Sequence, residues 1–151
     1  MKESQPRRGA RGRGGGVRKG EAFLLGAVGG AIGAVVSTAV ATWLGHVGAF
    51  AAIGVSLKAS WPIGGWVRRV GFGALFGLAY PLFWILLPSG ALRAAIVYSL
   101  LPSAAALLYF LPHAGAGVLG LSRGSLTPLV VIVLNALWGA VLGLIARRSC
   151  V

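Results

Sequence analysis

The chain has 151 residues, of which 57% are hydrophobic and only 11% are charged, and its mean hydropathy is +0.86. Soluble domains carry about 25% charged residues, so this composition excludes an ordinary soluble domain and predicts an all-α integral membrane protein. The net charge is +12, and the only two acidic residues, Glu3 and Glu21, precede the first long apolar segment.

Residues 1–20 are basic and rich in glycine, and they contain seven of the 14 Lys and Arg residues. Such a segment buries too little apolar area to offset the entropy of ordering it, so we predict a disordered tail. A polybasic segment beside a membrane span is attracted to anionic lipid. Loose RNA binding is the less favoured alternative, because no aromatic residues are interleaved for base stacking. The residues predicted to contact anionic lipid are Arg7, Arg8, Arg11, Arg13, Arg18, Lys19, Arg147 and Arg148.

Four segments are long and apolar enough to cross a hydrocarbon core of roughly 30 Å. They cover about 22–44, 66–87, 91–111 and 126–146, which predicts a four-helix membrane bundle within residues 21–148. Pro88 to Gly90 leaves room only for a tight turn, so the second and third spans should form an antiparallel hairpin. Residues 47–60 are apolar but too short to span, and an interfacial helix, a re-entrant helix and an extension of the first span all remain open.

The distribution of basic residues favours a topology with both termini in the cytoplasm. This orientation places ten Lys and Arg residues on the cytoplasmic side and four, namely Lys58, Arg68, Arg69 and Arg123, on the other. Arg68 and Arg69 lie just within the second span. They must either reach out to the interface or face a polar partner.

Small residues recur at four-residue spacing on three of the predicted spans. Helices in lipid associate through close van der Waals contact, which small residues permit. The first span has two such ladders, Gly29, Gly33, Ser37, Ala41 and Gly45 beside Gly26, Gly30, Ala34 and Thr38, and the later spans add Gly73, Gly77, Gly139 and Gly143. We expect them to pack the bundle. A ladder left over after internal packing would dock another subunit, so we also expect a homo-oligomer or a membrane protein partner.

Hydrolytic, phosphoryl-transfer and most metal chemistries need carboxylates, paired histidines or activated nucleophiles, and the predicted spans contain no acidic residue. We therefore predict a protein that is not an enzyme and that has no metal site or cofactor. Asn135, near the middle of the fourth span, either makes an interhelical hydrogen bond or contacts a substrate. His46 and His113 follow the first and third spans, where they are boundary residues or, alternatively, ligands of a haem or pigment. The single cysteine, Cys150, excludes an internal disulfide.

Two stretches, GGWVRRVGFGALFGLAYPLFW and LTPLVVIVLNALWGAVLGLIARR, are similar to each other. Each combines an aromatic residue, a small-xxx-small pattern ending in Gly-Leu and a basic flank. The pattern resembles that of small four-span bacterial membrane proteins of unknown function, although Arg68, Arg69 and Asn135 stand where that group often has histidine. The resemblance implies four helices, a bacterial cell membrane and no particular activity.

The leading functional hypothesis is a non-enzymatic accessory, assembly or structural subunit that associates through glycine-rich helix faces. The alternative is a small oligomeric transporter, channel or lipid-handling protein built around Asn135 and the helices containing Pro81 and Pro102. A cavity lined by Asn135, Ser37 and Thr38 would favour the alternative.

Overall fold

The computed structural model describes residues 19–57, 62–84, 86 and 90–147, and every regular element in these ranges is helical. This confirms the predicted all-α class. In chain order the elements are α1 Lys19–His46, α2 Ala49–Ala52, α3 Ile63–Trp84, α4 Ala91–His113, a 3₁₀ segment Val118–Arg123 and α5 Thr127–Ala146. The predicted tail lies outside the described residues, apart from Lys19 and Gly20, which begin α1.

Three of these helices, α1 from Gly20, α4 and α5, are long and apolar enough to cross a membrane, which indicates a membrane protein. The sequence predicted four spans. The remaining helix, α3, has 22 residues, but the guanidinium groups of Arg68 and Arg69 make it less apolar than the other three.

The closest helix pair is α1 with α3, which run antiparallel. A Cβ on Gly26 would overlap the carbonyl oxygen of Gly77, and a Cβ on Gly30 would overlap that of Gly73. Pro81 lacks the N–H that would otherwise bond the carbonyl of Gly77, so this oxygen is free to accept a Cα–H contact from α1. Glycine is required here because two backbones touch.

The fifth helix packs on both α1 and α4. Gly29 lies against Leu142 and Ile145, and Gly33 lies against Trp138. On the opposite side, a Cβ on Gly139 would come within 2.9 Å of the Cβ of Ser99. The two antiparallel pairs α1–α3 and α4–α5 are thus built in the same way, with small residues between the backbones.

Aromatic side chains fill the space between the two pairs. Tyr80 and Tyr98 stack edge to face with their ring centroids 5.4 Å apart. The Tyr80 hydroxyl donates to the carbonyl of Ala91 at 3.0 Å, and the Tyr98 hydroxyl donates to that of Phe76 at 2.8 Å. The helices α3 and α4 are therefore antiparallel, as the predicted hairpin requires, but bulky rings hold them further apart than the pairs joined by glycine. Most of the predicted turn, residues 87–89, lies outside the described part.

The fourth helix is irregular near its two prolines. A turn at Ser99 precedes Pro102, and a π-helical turn over Ala106–Phe110 precedes Pro112. Each proline removes one helix hydrogen bond, and the wider π turn accommodates the second missing donor. Near the first, the Ser103 hydroxyl donates to the carbonyl of Ser99 at 2.8 Å.

Connecting segments cover one end of the bundle, which we call the loop end. The opposite end, where α1 and α4 begin, is called the N-terminal end. Gly48 has φ 74°, which ends α1 and rules out the suggested helical extension into 47–60. The short α2 instead packs Phe50 beside Ala41 in a small apolar cluster that includes Val55. The amide of Ser56 donates to the carbonyl of Arg123 at 2.6 Å, which joins the two loops.

Candidate functional site: two arginines of the third helix

Both ladders of α1 are occupied within the chain. Gly26, Gly30 and Ala34 face α3, whereas Gly29 and Gly33 face α5. Ser37 donates to the carbonyl of Ala34 in its own helix at 3.3 Å. Neither glycine ladder of α1 is thus left over for a second subunit, contrary to the expectation from the sequence. The predicted residues of the later helices, Gly73, Gly77, Gly139 and Gly143, also lie at internal helix contacts.

The register between α1 and α3 gives the depth of each residue. Gly33 is the midpoint of the apolar stretch Gly20–His46, and the next residue, Ala34, contacts Gly73. Gly73 is also close to the midpoint of Ile63–Trp84. At 1.5 Å per residue, α3 extends about 15 Å from Gly73 towards the loop end and about 17 Å in the other direction. The middle of α3 therefore coincides with the middle of a neighbouring apolar helix.

Arg69 lies one turn from Gly73 towards the loop end, about 6 Å from the middle of the bundle. Its Nη1 donates to the hydroxyl oxygen of Thr38 at 3.4 Å, and Thr38 is only 1% exposed. By helical spacing, Arg69 shares the face of α3 that carries Phe76 and Tyr80, both of which contact the core. Its guanidinium group is thus directed towards the interior of the bundle.

Arg68 has the opposite orientation. It is exposed, and it shares a face of α3 with Leu75 and Leu82, which are 59% and 62% exposed. The glycines one turn to either side, Gly64 and Gly71, have open space where a Cβ would stand. Arg68 therefore places a charge on the outside of the bundle, about 8 Å from its middle along α3.

No acidic residue follows Glu21 in the sequence. Glu21 lies in the first turn of α1, at the N-terminal end, whereas Arg68 is displaced from the middle towards the loop end. Within the part of the chain that the structure describes, no carboxylate therefore lies at the depth of Arg68.

Asn135 is half-buried, and its side-chain amide makes no hydrogen bond to the residues that the structure describes. It shares a face of α5 with Leu142 and Ala146, both in the core. Because Gly33 meets Trp138, the antiparallel register places Asn135 and Ser37 at similar depths. A cavity lined by Asn135, Ser37 and Thr38 would favour the transport alternative, but the Thr38 hydroxyl is directed at Arg69 and the Ser37 hydroxyl at a carbonyl of its own helix.

The two histidines lie at the loop end. His46 is exposed, and the Nδ1 of His113 lies 2.7 Å from the carbonyl oxygen of Tyr109, with the two rings 4.2 Å apart. Within the described ranges, no three His, Cys, Asp or Glu side chains come together as metal ligands would. Cys150 lies outside those ranges.

Of the predicted lipid-contacting residues, Lys19 begins α1 and Arg147 follows α5, where its side chain is exposed. The other six, Arg7, Arg8, Arg11, Arg13, Arg18 and Arg148, lie outside the described residues. Arg93 is also exposed, near the start of α4.

Sequence reasoning missed the pairing of Arg69 with Thr38 and the different environments of the two arginines. The sequence contained part of a signal for the second point: consecutive residues on a helix point about 100° apart, so Arg68 and Arg69 cannot share one face of α3. It did not show which of the two faces outward. Comparison with protein-family models, with curated proteins and with solved structures finds no match to this chain.

Proposed function

We propose that this protein is a non-enzymatic accessory or assembly subunit of a larger membrane protein complex. In this proposal α3 is a fourth span, both termini are cytoplasmic, and the membrane is a bacterial cell membrane. The observation that carries the proposal is Arg68, a charged side chain on the outside of the bundle at membrane depth.

The length and position of α3 support a fourth span. Its 22 residues reach about 33 Å, which exceeds a hydrocarbon core of roughly 30 Å, and its midpoint is level with that of α1. Four spans return the chain to the side on which it started. The basic tail, Arg93 and Arg147 then share the N-terminal end, which the positive-inside rule assigns to the cytoplasm.

An outward arginine supports assembly with another protein. A charged side chain near the centre of a spanning helix costs roughly 3 kcal/mol on insertion scales, and such residues normally face other protein or water. The glycine ladders of α1 are internal, so packing alone no longer requires a partner. Arg68 favours one, because lipid tails cannot solvate its guanidinium group and without a protein partner the side chain must extend to the interface.

Purification from the native membrane in mild detergent tests this function. We expect at least one membrane protein to elute with the wild-type chain in fixed stoichiometry, as measured by mass spectrometry and by the mass of the complex. Elution as a monomer or homo-oligomer would contradict the proposal.

A second candidate function, transport or binding of a small anionic solute, is favoured by the inward Arg69. Its guanidinium group, the hydroxyl of Thr38 and the amide of Asn135 lie at similar depths on core-facing positions, and all three can donate to an anion. Uptake of radiolabelled anions into proteoliposomes tests this candidate. The flux is compared between wild type, Asn135→Leu and a control variant at the loop end, Arg123→Leu. Equal flux in all three would contradict this candidate.

A further inference from the structure

We infer that the outer face of α3, consisting of Gly64, Arg68, Gly71, Leu75 and Leu82, docks a transmembrane helix of another protein that carries an Asp or Glu level with Arg68. This inference rests on the proposed function and adds the docking surface and the chemistry of the partner.

The outer face of α3 is continuous. Its residues lie at spacings of three, four or seven, which align them along one side of a helix. Leu75 and Leu82 are well exposed, and nothing occupies the space beside Gly64 and Gly71. The face is therefore apolar over most of its length. It carries the single charge of Arg68, with open space at the two glycines on either side of that charge.

The charge identifies the partner residue. A guanidinium group in a medium of low dielectric constant is stabilised best by a carboxylate, which accepts two parallel N–H bonds from it. Among the described residues the only acidic one is Glu21, in the first turn of α1 at the N-terminal end, so we expect the carboxylate to come from another molecule.

A second copy of this chain does not fit the face. If α3 of another copy docked here, it would bring a second Arg68 close to the first, and like charges repel strongly where the dielectric constant is low. If another span of that copy docked here, it would supply no carboxylate at this depth. The occupant is therefore a different protein.

The two glycines favour a helix over a lipid head group. Small residues allow the backbone of a neighbouring helix to approach closely, and here they stand one turn above and one turn below the charge. Lipid phosphates lie beyond the edge of the hydrocarbon core, about 15 Å from its middle, so the Arg68 side chain, which leaves α3 at about 8 Å, reaches a head group only when it extends fully along the helix.

A cross-linking experiment in native membranes tests the inference. Arg68→Lys keeps the charge and supplies an amine, and dicyclohexylcarbodiimide, which enters membranes, activates a nearby carboxylate. The amine attacks the activated carboxyl carbon, an amide bond forms, and dicyclohexylurea leaves. Arg123→Lys, an arginine at the same end of the bundle but outside α3, is the matched control. Mass spectrometry identifies both linked residues.

We expect position 68 to be linked to an Asp or Glu within a hydrophobic segment of one partner, with at least ten times less product from position 123. Arg68→Leu should lose that partner on purification, whereas Arg68→Lys should retain it. The elution volume and helical circular dichroism of each variant establish that the bundle is folded.

Other outcomes would overturn the inference. A link from position 68 to a lipid phosphate would assign the face to a lipid head group. A link to a carboxylate outside any hydrophobic segment would show that the partner does not dock a transmembrane helix here. If a stoichiometric partner stays bound to Arg68→Leu, the proposed function stands and the inference fails. If the wild type has no partner, both fail.

Discussion

Gly26 and Gly77 oppose each other so closely that a Cβ on either residue would overlap the carbonyl oxygen of the other. The contact joins two backbones, so rotation of a side chain cannot relieve the overlap. The pair therefore sets the distance between α1 and α3, and this distance in turn brings Thr38 within reach of Arg69.

Gly77→Ala should destabilise the bundle by roughly 1 to 3 kcal/mol, because the added methyl group forces the two helices apart. Gly71→Ala is the matched control on the same helix: its Cβ meets open space, and alanine is the better helix former by about 1 kcal/mol. Unfolding in mixed detergent, followed by circular dichroism, measures both. Equal stability of the two variants would refute the backbone contact.

Trp138→Phe should also destabilise the protein, by roughly 1 to 3 kcal/mol. The buried indole N–H donates to the carbonyl of Gly30 at 2.8 Å, so the change removes this bond and leaves a void. Trp43→Phe is a suitable control because Trp43 is 63% exposed. The same unfolding assay applies. An unchanged midpoint for Trp138→Phe would show that the indole does not link α5 to α1.

Tyr98→Phe removes the bond from its hydroxyl to the carbonyl of Phe76 and keeps the ring stack. The expected loss is about 0.6 kcal/mol, an average for interhelical hydrogen bonds in a membrane bundle. Tyr109→Phe, at a ring that is 57% exposed, should have little effect. A loss in Tyr109→Phe as large as in Tyr98→Phe would contradict this assignment.

Deletion of residues 2–18 removes six Lys and Arg residues. Binding to vesicles containing anionic lipid should fall, since each basic residue near such a surface contributes about 1 kcal/mol, and the part lost should be the part sensitive to salt. The bundle should keep its helical circular dichroism and its unfolding midpoint. Each chain is first reconstituted in neutral nanodiscs, which cover its apolar helices, and co-sedimentation with anionic and with neutral vesicles then measures the binding. Equal binding by both chains would refute the predicted lipid contact.

The spacing of small residues on α1 was a good guide to helix contacts but a poor guide to their partners. Four-residue spacing identifies a face of a helix, and it does not say which neighbour covers that face. The sequence suggested that one ladder would remain for another subunit. In the structure, α3 covers Gly26 and Gly30 while α5 covers Gly29 and Gly33, because α1 is central enough to have two neighbours.

Composition and periodicity alone determined that this is an all-helical chain with apolar helices of spanning length, since hydrophobic length and the lack of acids are properties of consecutive residues. Only the tertiary structure decided that Arg68 faces outward, about 8 Å from the middle of the bundle along α3, while Arg69 faces inward to Thr38. Those environments depend on the register and the distance between helices. The glycine contacts between α1 and α3 set both, and no single segment encodes them.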